Sequence, residues 1–470
     1  MNRTLLLGLA AALATGCTMA PKYQRPAAPV PATMPSGPAY LPATTTSATA
    51  PVASDLPWQQ FLVDPRLQKV MATALQNNRD LRIAVLNVER VHALYGIQEA
   101  DLLPTVSGTA SGTKTSLPPD LSGKGGRSTF RQYNVGLAGS WELDFFGKVR
   151  SLTDAALEQY LATQEAQRSA QISLISSVAI AYLSLAADQD NLAIAQTTLQ
   201  SQQDAYALIE RRYARGLSPE LDLYRAQTQV DTARRGVALF TQVVAKDRNA
   251  LELLVGSPVP ADLLPEDLAH VQPPMDIPAG ISSDVLLQRP DILEAEHRLK
   301  AANANIGAAR AAFFPTITLT GSAGTASAEL SGLFGPNSGT WSWGPQITMP
   351  IFDPRVWSAA KLVKADQKIA VANYEKAIQS GFREVADALA VQGTVDQELA
   401  AQESLVQAFA ETYRLSNIRY LKGLDNYLSV LEAQRSLYVS QQALVFIRLE
   451  KLSNQIRLYA VLGGGWTPEP

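Results

Sequence analysis

The chain has 470 residues and a formal net charge of −3, which allows one large core or two to three ordinary ones and removes the main electrostatic reason to expect nucleic acid as a partner. One cysteine, Cys17, and three dispersed histidines, His92, His270 and His297, exclude an internal disulfide and supply no cluster of metal ligands, so neither a metal nor a cofactor is expected. Beyond the N-terminus no run approaches the roughly 20 apolar residues of a membrane helix, so any span is expected to be a closed β-barrel.

The chain opens Met1-Asn2-Arg3, continues with an apolar run from Leu5 to Leu13, and reaches Ala14-Thr15-Gly16-Cys17. A positive start, a short apolar run and small residues before a cut site predict a secretory signal peptide over 1–16. From 17 to 57 prolines recur at 21, 26, 29, 31, 35, 38 and 42, so an extended segment is expected there, either a flexible tether or a strap along the folded body.

The remainder is one unit written twice. Asp80 to Thr105 aligns with Asp291 to Thr316 at an offset of 211, and Arg212 to Leu217 aligns with Arg419 to Leu424 at an offset of 207. Repeat 1 is placed at 58–256 and repeat 2 at 281–470, with a proline-rich connector at 257–280. Each repeat reads helix, strand, strand, long helical hairpin.

In repeat 1 a first strand alternates Thr105, Ser107, Thr109 and Ser111 against Val106, Gly108 and Ala110, and a second alternates Tyr133, Val135, Leu137, Trp141 and Leu143 against Gln132, Asn134, Ser140 and Glu142. Between them Gly123-Lys124-Gly125-Gly126-Arg127-Ser128-Thr129 has the wrong order for a phosphate loop and reads as the loop joining the strands. No proline occurs between Phe146 and Pro219, which predicts a helix of nearly 70 residues to Arg215, reversing at Gly216 into a second from Leu221 to Val255. Ile172, Ile175, Ala179, Tyr182 and Ala186 form its packing seam.

Repeat 2 alternates Thr316, Thr318, Thr320 and Ser322 against Ile317, Leu319, Gly321 and Ala323, with Trp341, Trp343, Ile347 and Met349 opposing Ser342, Gln346 and Thr348. Strands of about 10 residues suit a tilted membrane barrel, and the neutral hydroxyl face suits a wetted lumen, which places Thr105, Ser107, Thr316 and Thr318 toward it. Phe313, Phe314, Trp341 and Trp343 are expected at interfacial levels. A second proline-free tract from Pro354 to Pro468 predicts a hairpin turning at Gly423. Four strands leave two open edges in lipid, so several chains must close the sheet. Two copies would give eight strands and three would give twelve.

Several runs resemble the outer-membrane factors, the TolC-like proteins, and within them the OprM- and MtrE-like lipoprotein branch. They are Cys17 with Pro21-Lys22-Tyr23 and Pro26, Trp141 to Gly147, Arg289-Pro290-Asp291-Ile292, Ala301 to Pro315, and Pro350-Ile351-Phe352. The resemblance covers essentially the whole chain. It implies a homotrimer with a twelve-stranded outer-membrane β-barrel, four strands per chain, continued by a long periplasmic α-helical barrel. It further implies a periplasmic adaptor and an inner-membrane RND transporter as partners, with this chain a passive gated conduit for drugs and other small molecules. Cys17 would be acylated into outer-membrane lipid, although Ala14 stands where the lipobox usually has Leu. Leu428, Glu432 and Arg435, one helix face by spacing, would form the periplasmic gate with help from Tyr420, and Glu432 stands where close relatives have Asp. Gly216, Leu217, Gly423 and Leu424 would be tip turns touching the adaptor.

No catalytic motif is found. The rival readings are a type I protein-secretion duct, a heavy-metal efflux duct, and a structural lipoprotein; the last leaves the duplicated strand pair unexplained. Six scattered methionines weigh against a copper route.

Overall fold

The structure, a computed structural model, describes residues 18–41, 53, 56–123, 125–277 and 283–466; the signal segment and Cys17 lie outside the described residues. Among the described residues the elements run α1 (Trp58–Phe61), α2 (Pro65–Asn77), α3 (Arg79–Ala100), β1 (Thr105–Leu117), β2 (Ser128–Leu143), α4 (Lys148–Ala214) and α5 (Glu220–Val255). They continue as α6 (Pro290–Ala311), β3 (Thr316–Ser327), β4 (Gly339–Thr348), α7 (Pro354–Leu421) and α8 (Tyr427–Val461). The order α3-β1-β2-α4-α5 recurs as α6-β3-β4-α7-α8. The copies agree closely, with α3 and α6 both 22 residues, α4 and α7 67 and 68, and α5 and α8 36 and 35.

The chain divides into two units. One comprises Met1–Ala27, Asn87–Gln164 and Glu294–Glu375, and the other Ala28–Leu86, Glu165–Leu293 and Lys376–Pro470.

The first unit holds a four-stranded antiparallel sheet in the order β1-β2-β3-β4. Two hairpins, one from each repeat, are zipped along β2 and β3, so β1 and β4 are the free edges. The pairing of β1 with β2 reaches Leu117↔Ser128, which carries both strands past the expected ten residues and takes Ser128 and Thr129 out of the loop. At the other end of β2, the Asp144 carboxylate accepts from the Val149 and Arg150 amides at 3.1 and 2.9 Å and starts α4. The N-terminal segment of this unit is a strap on α6. Asn303 Nδ2 donates to the Pro21 carbonyl at 2.8 Å, and Arg25 and the Tyr23 hydroxyl converge on Glu296. A Cβ on Gly307 would lie 2.8 Å from Ala20, so only glycine lets the strap lie this close.

In the second unit Asp64 caps α2 through the Arg66 and Leu67 amides, both at 2.9 Å, with Pro65 at the first helical position. Phe61 stacks on Tyr459 with ring centroids 3.9 Å apart. Every residue of the expected seam, Ile172, Ile175, Ala179, Tyr182 and Ala186, is buried. One stretch of α4 does carry enough apolar residues for a membrane helix, contrary to the expectation from sequence, but more than half of it is buried inside the fold, as in a core helix. The described part of the connector is packed rather than loose. Leu268, Val271 and Ile277 are buried, and the Met275 amide donates to the Phe61 carbonyl at 3.0 Å. Arg289 is a buried hub, bonded to Asp291 at 2.8 and 3.0 Å, Glu384 at 2.8 Å and the Val461 carbonyl at 2.8 Å.

Candidate functional site

Two surfaces carry the chemistry, and each is built from duplicated elements. The first is the sheet. Cα pairing puts Thr105 opposite Ser140, Ser140 opposite Thr320 and Thr320 opposite Gly344, so hydroxyls and glycine run across all four strands on one face. Ser107, Thr316 and Thr318 lie on that same face, as the alternation predicts, with Thr318 between Glu142 and Gln346. Glu142 takes an ion pair from Lys148 at 3.1 Å. The opposite face carries Val106, Leu137, Trp141, Trp341, Trp343 and Ile347, all exposed in the single chain. A sheet with an apolar outer face, a polar inner face charged only near its helix end, at Glu142, and two unpaired edges is a segment of a membrane barrel wall.

The second surface is the pair of hairpin tips. Gly216 and Gly423 sit at φ +69° and +74°, the left-handed region where glycine carries no Cβ penalty. The bonding is identical in the two copies. The Gly216 amide reaches the Tyr213 carbonyl at 2.8 Å and the Leu217 amide the Arg212 carbonyl at 2.9 Å; Gly423 reaches Tyr420 and Leu424 reaches Arg419, both at 2.9 Å. This is a Schellman stop used twice, and it leaves Leu217 and Leu424 exposed at the apices. Asn426 then caps α8 through the Ser429 amide at 3.3 Å.

On α8 the spacing argument places its residues well. Leu428, Glu432 and Arg435 are all exposed, whereas Tyr427, Val430, Leu431, Ala433 and Gln434 are buried on the opposite side. Among the described residues Glu432 and Arg435 make no ion pair, with each other or with another group.

Tyr420 lies off this exposed face, between the two hairpin tips. It is buried with Ile209, Ala226, Tyr427, Val430 and Leu431, holding the two tips of the chain together. The Arg212 guanidinium lies 5.1 Å over its ring, and Tyr427 is 5.2 Å away. Burial pushes both phenols upward in pKa, and the Tyr427 hydroxyl has no hydrogen-bond partner among the described residues.

The ion pair at the second tip is one the sequence reading missed. Arg419 grips Asp425 across the Gly423 turn with two bonds, at 2.5 and 3.2 Å, which lowers the Asp425 pKa and raises that of Arg419. The repeat itself carried the signal, since Arg212 and Arg419 are equivalent while Ser218 stands opposite Asp425, so only the second copy can close this bond.

Comparison with known proteins decides the family. The model of outer membrane efflux proteins matches residues 70–257 and again 281–464. The chain belongs to the outer membrane efflux protein family. It is similar to the solvent efflux pump outer membrane protein SrpC of Pseudomonas putida, 48% identical over 96% of both chains. The cation efflux system protein CusC of Escherichia coli O157:H7 is 40% identical, covering 99% of this chain and 100% of that one. Among solved structures, the open state of the MtrE outer membrane channel of Neisseria gonorrhoeae superposes with a TM-score of 0.83 at 38% identity, over 96% of this chain and 98% of that chain. This efflux protein is therefore an outer-membrane channel component with a transport role, and the sheet is its barrel segment.

Proposed function

We propose that three copies close a twelve-stranded barrel, and that the trimer is the passive, gated exit duct of a tripartite multidrug pump. The observation that carries this is the sheet with one apolar face, one hydroxyl face and free edges at β1 and β4. A four-stranded sheet in lipid leaves edge groups that each cost several kcal/mol, and twelve is an allowed closed number. Energy would come from a proton-driven RND transporter in the inner membrane, with a periplasmic adaptor docking on the tips around Gly216, Leu217, Gly423 and Leu424. Residues 58–256 and 281–470 act as the two repeats, 257–280 as their connector, and Cys17 as the acylated N-terminus after removal of 1–16. The cargo is small and largely apolar, since the relative named for solvent efflux is more identical than the one named for cation efflux.

In this reading Leu428 is the apolar constriction, Glu432 a ring of three carboxylates that favours cations, and Arg435 pairs with a carboxylate of a neighbouring copy. Glu432 and Arg435 support it, because both are exposed and, with no ion pair among the described residues, are available to another chain. Tyr420 acts indirectly, by fixing where α8 begins. Single-channel conductance of the purified protein in a planar bilayer, with its mass in detergent, tests the proposal. A trimer with small, cation-biased conductance is expected, and Leu428→Ala or Arg435→Glu raises both conductance and uptake of a large glycopeptide antibiotic. A chain that stays monomeric and never conducts sinks the duct. Unchanged conductance in both variants sinks the gate.

A further inference from the structure

The apolar face of the sheet does not stay apolar to its end. Along β2 this face carries Leu143, Trp141, Gly139, Leu137, Val135 and Tyr133, and then Arg131. The ten steps from Leu143 to Tyr133, at about 3.4 Å each and a tilt of about 40°, span roughly 26 Å along the barrel axis, the height of a barrel's apolar band. Arg131 falls about 5 Å beyond it by the same arithmetic. Lys114 on β1 is paired directly opposite Arg131, and Gly112 opposite Tyr133, whose ring lies over it.

Two cations thus stand side by side just past the apolar band. Like charges directly opposite on adjacent strands are unfavourable, so an anion placed between them relieves a repulsion. Both side chains are exposed, and among the described residues neither makes an ion pair, although Asp120 and Glu329 lie in the loops at this end of the sheet. Arg127 adds a further cation just before β2. This end is the outer one. The opposite strand ends run into the helices α3, α4, α6 and α7, whereas here β1 joins β2 and β3 joins β4 by loops.

We propose that Lys114 and Arg131 form a binding site for the phosphate of an anionic lipid in the outer leaflet. The site rests on the reading of the sheet as a barrel wall with its apolar face in lipid. The acyl chains lie against Tyr133, Val135 and Leu137, the half of the band next to the cations, while the headgroup phosphate bridges Lys114 and Arg131 and relieves their repulsion. A doubly phosphorylated lipid A has this chemistry: multiple acyl chains beneath sugar-borne phosphates.

The test is retention of lipid by the full-length protein in detergent micelles, counted by native mass spectrometry after incubation with bisphosphorylated lipid A. Each cation near an anionic surface contributes about five-fold in affinity, so Lys114→Gln with Arg131→Gln weakens retention by about 30-fold. The charge-conserving pair Lys114→Arg with Arg131→Lys keeps it. Dephosphorylated lipid A is retained weakly by wild type, and inorganic phosphate does not displace the bound lipid. Equal retention by wild type and the glutamine variant overturns the site, as does displacement by inorganic phosphate. Planar-bilayer conductance of the same samples separates the two claims, because a conducting channel indifferent to lipid phosphate refutes the site alone, and a chain that never conducts refutes the barrel.

Discussion

The strap offers the sharpest test of how this fold is fastened. Glu296 lies on α6 with its side chain 4% exposed, and it accepts from Arg25 at 2.6 and 3.1 Å and from the Tyr23 hydroxyl at 3.2 Å, with Lys300 at 3.5 Å. Burial alone would raise its pKa, but the Arg25 bonds and the Lys300 charge outweigh it and hold the carboxyl below its usual range. Glu296→Gln keeps the shape, loses the charge, and turns an amide NH2 toward cationic donors. Charge-assisted bonds contribute about 1.5–3 kcal/mol each. Arg25 is nearly half exposed and regains water on release, so the net loss is set at about 2 kcal/mol. The Asn303 bond to Pro21 survives, so the strap loosens without leaving. The bond after Lys22 is a tryptic site, whereas Arg25 is protected by Pro26. When opening is fast, cleavage follows the open population, and about 2 kcal/mol becomes a roughly 30-fold faster cut at Lys22. Mass spectrometry of timed trypsin digests of folded protein reads this directly. Cleavage at Lys22 equal to wild type, with the helical melt unchanged, would refute the clamp. Because the folded pKa of Glu296 is depressed, its contribution is complete above its unfolded pKa of about 4.3 and is lost only as pH falls through the lower folded value.

Other outcomes follow from the same geometry. Asp247 is pushed up to about 6, by burial first and then by the Asp188 carboxyl beside it. A carboxyl that holds its proton more tightly folded than unfolded adds stability as pH falls from about 6 toward about 4, so the helical melt of wild type rises on acidification across that window. Asp247→Asn is expected to raise the melt at pH 7.5 and flatten this slope, and an unchanged slope would contradict the pairing. Arg289→Met strands Asp291 and Glu384 against each other and frees the Val461 carbonyl, at a cost of about 3 kcal/mol in denaturant unfolding; a change below about 0.5 kcal/mol would count against the hub. Tyr427→Phe removes a buried hydroxyl that has no partner among the described residues, so the melt should hold or rise, and a marked fall would reveal a bond at that hydroxyl.

Much of this architecture is written along the chain because its signals are local and repeated. A proline-free tract has no cheap place to break, so α4 and α7 end within a residue or two of the expected turns at Gly216 and Gly423. Period-two alternation fixes which face each strand residue takes, so Thr105, Ser107, Thr316 and Thr318 fall together without knowledge of their partners. That Leu428, Glu432 and Arg435 share one helix face follows from helical spacing alone, and the structure shows that face exposed.

What sequence could not decide were partners far apart in the chain. Tyr213 and Tyr420 occupy equivalent places in the two copies, yet Tyr213 is exposed and Tyr420 buried, because only one of them meets Ile209 and Ala226 from the other hairpin. The Arg419 bond to Asp425, the closure of Arg25 on Glu296 and the packing of the connector are likewise set by which surfaces meet. Local propensity and period are properties of a few neighbouring residues, so the sequence by itself determined the repeat, its helices and the sidedness of its strands. Burial and ionic partnership depend on groups brought together from distant positions, so which tyrosine locks the tips, which cation holds the strap, and which carboxylates lie side by side were decided only by the tertiary structure.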